Sequence, residues 1–216
     1  MSAAVLPRLR TGLPDELIVG SAPSIPSLSA PFSIRPADPD GDAQLVSEWM
    51  NRQHLVETWE QDWPVDRWHT DMSARVAGDY SVPCIVGYDG RDVGYAELYW
   101  VAQDEVGALY ECRSHDTGLH IAIGESDLLG KGIFSRFMHA LADALSAADP
   151  ECDLVLADPD HRNAPMRRAL AKAGFTESFV AEVRPGRTIA MATRGRAIGP
   201  RTIATSTEST VFEVLP

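Results

Sequence analysis

The hydrophobic positions change period several times along the chain, and each change marks an element. Phe32-Ile34 reads as a short strand, and Asp40 or Asp42 is placed to cap a helix that stacks Leu45 with Trp49 and Val46 with Met50. Pro64 suits a helix start, after which Val65, Trp68, Met72 and Val76 recur at helical spacing. The period then drops to two. Val82-Tyr88 and Val93-Val101 flank Asp89-Gly90, a hairpin signal, and Leu119, Ile121 and Ile123 alternate with His120 and Ala122. Ile133 to Ala147 returns to the helical period, with Phe134, Phe137, Met138, Leu141 and Leu145 as its apolar stripe. Leu154-Val155-Leu156 is a continuous apolar run, as in a strand covered on both faces. A helix from Asn163 to Ala173 closes at Gly174, and Phe175-Val183 and Thr188-Thr193 form a last hairpin around Pro185-Gly186. The order β-α-α-β-β-β-α-β-α-β-β predicts one α/β or α+β domain.

The two ends do not follow these periods. Seven of the 15 prolines fall in the first 39 residues, so residues 1–30 read as an irregular arm lying on the domain or partly disordered. The regular pattern fills residues 31–194. Residues 195–216 read as a tail or an added strand, in which Val211, Phe212, Val214 and Leu215 need cover.

Composition narrows the function classes. A formal net charge of -12 argues against nucleic acid as a partner, because neutralising phosphates takes clustered Lys and Arg; it suits a cationic or neutral small molecule. No run approaches the ~18 apolar residues of a membrane span, and Pro7, Arg8 and Arg10 interrupt any leader-like stretch, so a cytoplasmic location is expected. Cys84, Cys112 and Cys152 are odd in number and far apart, which points to free thiols. Apolar contexts raise a thiol's pKa, so a cysteine nucleophile is disfavoured. The histidines show no metal-ligand spacing, and no metal is expected.

Candidate chemistry gathers in the second half. Gly130-Lys131-Gly132 opens a helix, where free N–H groups and the helix dipole can cradle a phosphate. It is neither a P-loop nor a dinucleotide fingerprint, since Glu125 and Ser135 stand where glycines would be required. His120 points away from Leu119, Ile121 and Ile123, onto its own strand face. Asp158 ends a buried strand, where open sheets place their ligand crevices. For each, a satisfied core histidine or a turn cap before Pro159 is the structural alternative. Trp59 and Trp63 lie in a loop-like stretch with Glu60 and Asp62 and are placed to wall a channel for a cationic amine; Asn51, Glu97 and Trp100 are further pocket candidates.

The succession of strand, GxG turn, helix, apolar strand and NAPMRRALAKAGF resembles the acyl-CoA-binding half of the GNAT superfamily of N-acetyltransferases. Asn163, Lys172, Gly174 and Phe175 match that family's later motif. Asp127 stands where Arg or Gln is usual, and Leu170 replaces the tyrosine that often protonates the leaving thiolate. EWMNRQHLVETWEQDWPVDRW (48–68), GYAELYW (94–100), DTGLHIAI (116–123) and ADPDHRN (157–163) together resemble the siderophore-acyltransferase branch, above all its mycobactin-type lysine N6-acyltransferases. The first segment also resembles aminoglycoside 6′-N-acetyltransferases.

The resemblance implies a GNAT fold, a central mixed sheet with flanking helices, and no permanently bound cofactor. It implies acyl transfer from acyl-CoA or an acyl carrier protein to the N6 amine of lysine or N6-hydroxylysine. His120 and Asp158 would be catalytic, with an N–H of Ile121 or Ala122, near a strand bulge, as oxyanion donor. Gly130, Lys131, Gly132 and Asn163 would hold the donor. An aminoglycoside-type acetyltransferase or a non-catalytic acyl-CoA sensor are the alternatives.

Overall fold

A computed structural model of the chain describes Leu6, residues 8–59 and residues 61–201. Glu60 and the apolar residues Val211, Phe212, Val214 and Leu215 lie outside the described residues. The elements run β1 (Phe32–Pro36), α1 (Pro39–Met50), α2 (Gln53–Trp59), α3 (Val65–Val76), β2 (Ser81–Tyr88) and β3 (Arg91–Trp100). They continue β4 (Thr117–Ile123), α4 (Ile133–Ala148), β5 (Leu154–Ala157), α5 (Ala164–Lys172), β6 (Thr176–Arg184) and β7 (Arg187–Gly195).

One seven-stranded sheet has the order β1-β2-β3-β4-β5-β7-β6. All neighbours are antiparallel except β4 and β5, which pair only at Thr117 with Val155 and Gly118 with Leu156. Beyond those pairs the two central strands separate, and the sheet opens. Helices α4 and α5 cover one face, burying Phe137, Met138, Leu141 and Leu170 against Ala96, Leu98, Leu119, Ile121 and Val155. On the other face α1 and α3 bury Val46, Trp49, Trp68 and Met72 against Ile85, Tyr95 and Ala122. A second cluster on that face, around Tyr80, Tyr99, Tyr110, Leu156 and Met191, receives Leu6 of the N-terminal arm. Farther along, Ile25 and Leu28 of the same arm pack on the α4 side. The arm therefore passes from one face of the sheet to the other.

Local details differ from the sequence reading where chain geometry outweighed pattern. The cap of α1 is Asp38, whose carboxylate accepts the Asp40 N–H at 3.2 Å, because Pro39 takes the first helical turn. Asp42 is free to accept from Arg35 at 2.7 and 2.8 Å. Helix α2 was not expected; at seven residues it is too short to display a period. It is fastened instead through Arg52 to the Gly124 carbonyl and His54 to the Ile123 carbonyl, at 2.6 and 2.9 Å.

Candidate active site

The β3–β4 register sets Glu97 opposite His120 and Tyr99 opposite Gly118. Strand alternation turns Glu97, Tyr99 and His120 onto the α1/α3 face, and Leu98, Leu119 and Ile121 onto the other. Asp158 leaves β5 just where that strand parts from β4, and so reaches the same spot. The His120 ring is held at both nitrogens: Nδ1 lies 3.2 Å from Glu97 Oε2, and Nε2 lies 3.1 Å from Asp158 Oδ1. Tyr99 stacks beneath it, centroids 4.4 Å apart, and donates to Asp158 at 2.9 Å. A side chain at Gly118 would come within 2.1 Å of that tyrosine ring, so the stacked arrangement requires glycine there.

Glu97 is anchored from below. Tyr95 donates to it at 3.1 Å and Arg75 Nε lies 3.3 Å away, while Arg75 also binds Asp71 at 2.7 Å and Ser81 at 2.9 Å. These groups set the charges. Burial alone would raise the Glu97 carboxyl, but Arg75 and His120 hold it well below its ordinary range. Burial and the nearby Arg8 oppose a charge on His120; Asp158 and Glu97 outweigh them, and its pKa is raised above 6.5. Burial would raise Asp158, but His120, Arg8 and the Tyr99 hydroxyl together outweigh it, and its pKa is lowered.

His120 and Asp158 lie on the wall of a cavity of about 800 Å³, between the opened central strands, α2 and the helices α4 and α5. Its walls are largely apolar, with Phe32, Leu55, Val86, Phe134 and Met166 among them. At the far end stand Gly130 and Gly132, at φ of +73° and +72°, a left-handed backbone that only glycine adopts without strain. Gly132 stands at the cap position of the sixteen-residue α4, and no side chain among the described residues caps it, so its first N–H groups are left open beside the cavity. Asn163 caps α5, accepting the Met166 N–H at 3.1 Å, and Arg168 and Lys172 contribute cationic side chains to the same wall.

Of the residues singled out from sequence, His120, Asp158, Ile121, Ala122, Gly130, Gly132, Asn163 and Trp59 line this cavity. Trp59 approaches His120 edge-on, with centroids 6.3 Å apart. Lys131 is exposed and does not line it. Glu97 is buried beneath His120 and acts on that ring instead of lining the cavity.

Three pocket candidates are placed elsewhere. Asn51 ends α1 and donates to the Ser47 and Trp63 carbonyls. Trp63 packs on Trp68 with Arg67 above it, 4.8 Å from the ring centre. Trp100 has the opposite strand parity to Glu97 and Tyr99, and donates to the Ser21 carbonyl at 2.6 Å on the α4 side.

The ladder also separates the two oxyanion candidates. Gly124 donates to Val93 and Val101 to Asp116, so alternation directs the Ala122 N–H toward β3 and the Ile121 N–H toward the gap left by β5. No bulge interrupts β4; its separation from β5 supplies the opening. Cys84 and Cys152 are buried with thiols pushed up by desolvation, and none of the cysteines lines the cavity.

Sequence reasoning missed Tyr99, Arg75 and Arg8. The parity of Tyr99 with Glu97 was a usable signal. Nothing near Arg8 indicated that its guanidinium would lie 2.9 Å from each nitrogen of the His120 ring.

The comparisons with known proteins agree with this architecture. An acetyltransferase (GNAT) domain family model matches residues 38–183. The lysine N-acyltransferase MbtK of Mycobacterium sp. (strain MCS) is 43% identical over 172 residues, covering 80% of this chain and 70% of that protein. The MbtK of Mycobacterium tuberculosis (strain ATCC 25618 / H37Rv) is 39% identical over 169 residues, covering 78% and 80%. Among solved structures, aminoglycoside acetyltransferase AAC(6')-Ib in complex with coenzyme A superposes with a TM-score of 0.64 over 76% of this chain and 95% of that one, at 22% identity, a likeness of fold. The chain belongs to the GNAT acyltransferases, within the family of the MbtK lysine N-acyltransferases, and is an acyltransferase enzyme.

Proposed function

We propose that the protein transfers an acyl group from acyl-CoA, or from the phosphopantetheine of an acyl carrier protein, to the N6 amine of lysine or a lysine-type acceptor in mycobactin-type siderophore assembly. The observation that carries this reading is the placement of His120, clamped between Glu97 and Asp158, on the wall of an apolar cavity whose other end is an uncapped helix N-terminus. A donor with a negatively charged phosphate end, a flexible arm and an apolar acyl group fits that sequence of environments. The names of the similar proteins, lysine N-acyltransferases and an N(6)-hydroxylysine O-acetyltransferase of Escherichia coli, favour a lysine-like acceptor.

In the proposed reaction the acceptor enters as an ammonium ion, drawn by the carboxylates, and loses one proton to water before attack. Its nitrogen adds to the thioester carbonyl, with the oxygen facing the Ile121 N–H in the gap beside β5. His120 takes the remaining excess proton as the C–N bond forms. As the C–S bond breaks, His120 returns that proton to the departing sulfur. Leu170, on the cavity wall, has no proton to give. Glu97 and Asp158 fix the ring and stabilise its charged form, which strengthens the base while lowering its neutral fraction near pH 7. Gly130, Gly132, Asn163, Arg168 and Lys172 hold the phosphate end of the donor.

Mass analysis of products after incubation with lysine, N6-hydroxylysine or an aminoglycoside, each with short and long acyl-CoA, tests the reading. Acyl-lysine or acyl-hydroxylysine supports it. Acylation of the aminoglycoside alone, or binding of acyl-CoA with no product, overturns it.

A further inference from the structure

Arg8 lies far in sequence from every other residue of the site, yet it is built into it. Its carbonyl accepts the Glu105 N–H at 2.9 Å, Leu9 bridges to Asp104, and Arg10 donates its N–H to Gln103 and its guanidinium to Ala102, both at 2.8 Å. Leu6 is buried in the core beside them. The segment thus forms a short strap along residues 102–105.

The Arg8 side chain extends from that strap into the cavity. Its Nη1 stands 2.9 Å from both His120 nitrogens, the nitrogens that already face Glu97 and Asp158. Arg8 therefore fills the volume that an amine must enter to pass a proton to this ring. It is also the right kind of group to do so. Burial opposes its charge, but Glu97 and Asp104, both buried, and Asp158 beside them outweigh it, and carboxylates held away from water favour a cation among them. Exchanging a guanidinium for an ammonium leaves the charge of the chamber unchanged, whereas a neutral acceptor would leave one positive charge fewer beside Glu97 and Asp158, which then face only the charges of Arg75 and His120 among the described residues.

We propose that Arg8 is a resident cation in the acceptor site, displaced when a cationic amine enters, and that it makes acceptor charge a criterion for entry. This rests on the acyl-transfer reading for its substrate and on the geometry alone for the cation site. Its consequence for specificity is that lysine, an ammonium at neutral pH, replaces Arg8 better than N6-hydroxylysine, whose far less basic nitrogen arrives uncharged.

Calorimetric titration of the full chain with n-butylammonium, compared between wild type and Arg8→Ala, reads the cation site without any catalysis. Removing a competitor that occupies the site most of the time should tighten n-butylammonium binding by about tenfold or more. KM for lysine should fall by a similar factor, and the preference for lysine over N6-hydroxylysine should widen. If Arg8→Ala does not fold, Arg8→Gln keeps the bulk and loses the charge, with the same expectation.

Unchanged or weaker n-butylammonium binding in the folded variant overturns the proposal and makes Arg8 a fixed part of the site. Tighter n-butylammonium binding with no acyl-lysine from either protein upholds the cation site and sinks the lysine reading instead.

Discussion

The two ends of the cavity are made of different material. On the proposed acyl-transfer reading, the donor end is mostly main chain: glycines in the left-handed region and the open N–H groups of α4, assembled from adjacent residues. The acceptor end is side chain, with Glu97 from β3, His120 from β4, Asp158 after β5 and Arg8 from the arm, brought together by the sheet. A main-chain cradle binds by shape and partial charge and tolerates neighbouring substitutions. A buried network of full charges depends on every member.

The contrast predicts the largest loss at the acceptor end. His120→Ala should lower kcat by roughly 10²–10⁴ with little change in donor KM, as expected for removal of a general acid–base group; unaltered turnover would take the ring out of the mechanism.

Glu97→Ala should act first on the fold. It leaves Arg75 with Asp71 as its remaining carboxylate partner and removes one clamp from His120. Breaking a buried ion pair costs about 3–5 kcal/mol, a loss that urea unfolding would register. A variant as stable as wild type would show that Asp71 alone satisfies Arg75.

At the donor end the same kind of change should be milder and confined to one substrate. Gly132→Val crowds the cradle and strains the turn, and should raise KM for acyl-CoA by about tenfold, ~1.4 kcal/mol, with the acceptor KM unchanged. An equal rise in both constants would mean that the two ends are not separable.

A pH profile refines the picture further. As the proposed base, His120 would have to be neutral to accept a proton, and its pKa is raised, so kcat/KM should climb with pH along a limb centred above 6.5. Asp158→Asn removes the strongest influence favouring the charged ring and should move that limb to lower pH. The same shift contributes to stability in the opposite sense: tighter proton binding in the folded state favours the fold most below 6.5, and this contribution is lost as pH rises through the raised value. The smallest effects belong to Trp63→Phe and Trp100→Phe, which should leave both KM values unchanged, since neither ring reaches the cavity.

The donor end was the more legible in sequence for a physical reason. A turn and the helix that follows it are local, so Gly130, Gly132 and Asn163 carry their meaning in adjacent residues. His120 and Asp158 stand out as candidates through strand parity, strand end and the motifs around them. Trp63, Trp100 and Asn51 were misplaced because aromatic and amide side chains suit a pocket wall and a packed core equally well. Only the direction of each side chain decides, and for Trp100 one step along β3 reverses it.

By itself the sequence determined the local elements, since hydrophobic period, turn glycines and caps act over a few residues. It also named the candidate chemical parts of the site, His120, Asp158 and the glycine turn. Tertiary structure decided what those parts touch. The register of β3 on β4 put Glu97 under His120, the parting of β4 from β5 opened the cavity, and the path of the arm across the sheet brought Arg8 to the ring. Contacts between residues more than a hundred positions apart depend on how whole strands pair and pack, and no local pattern encodes that.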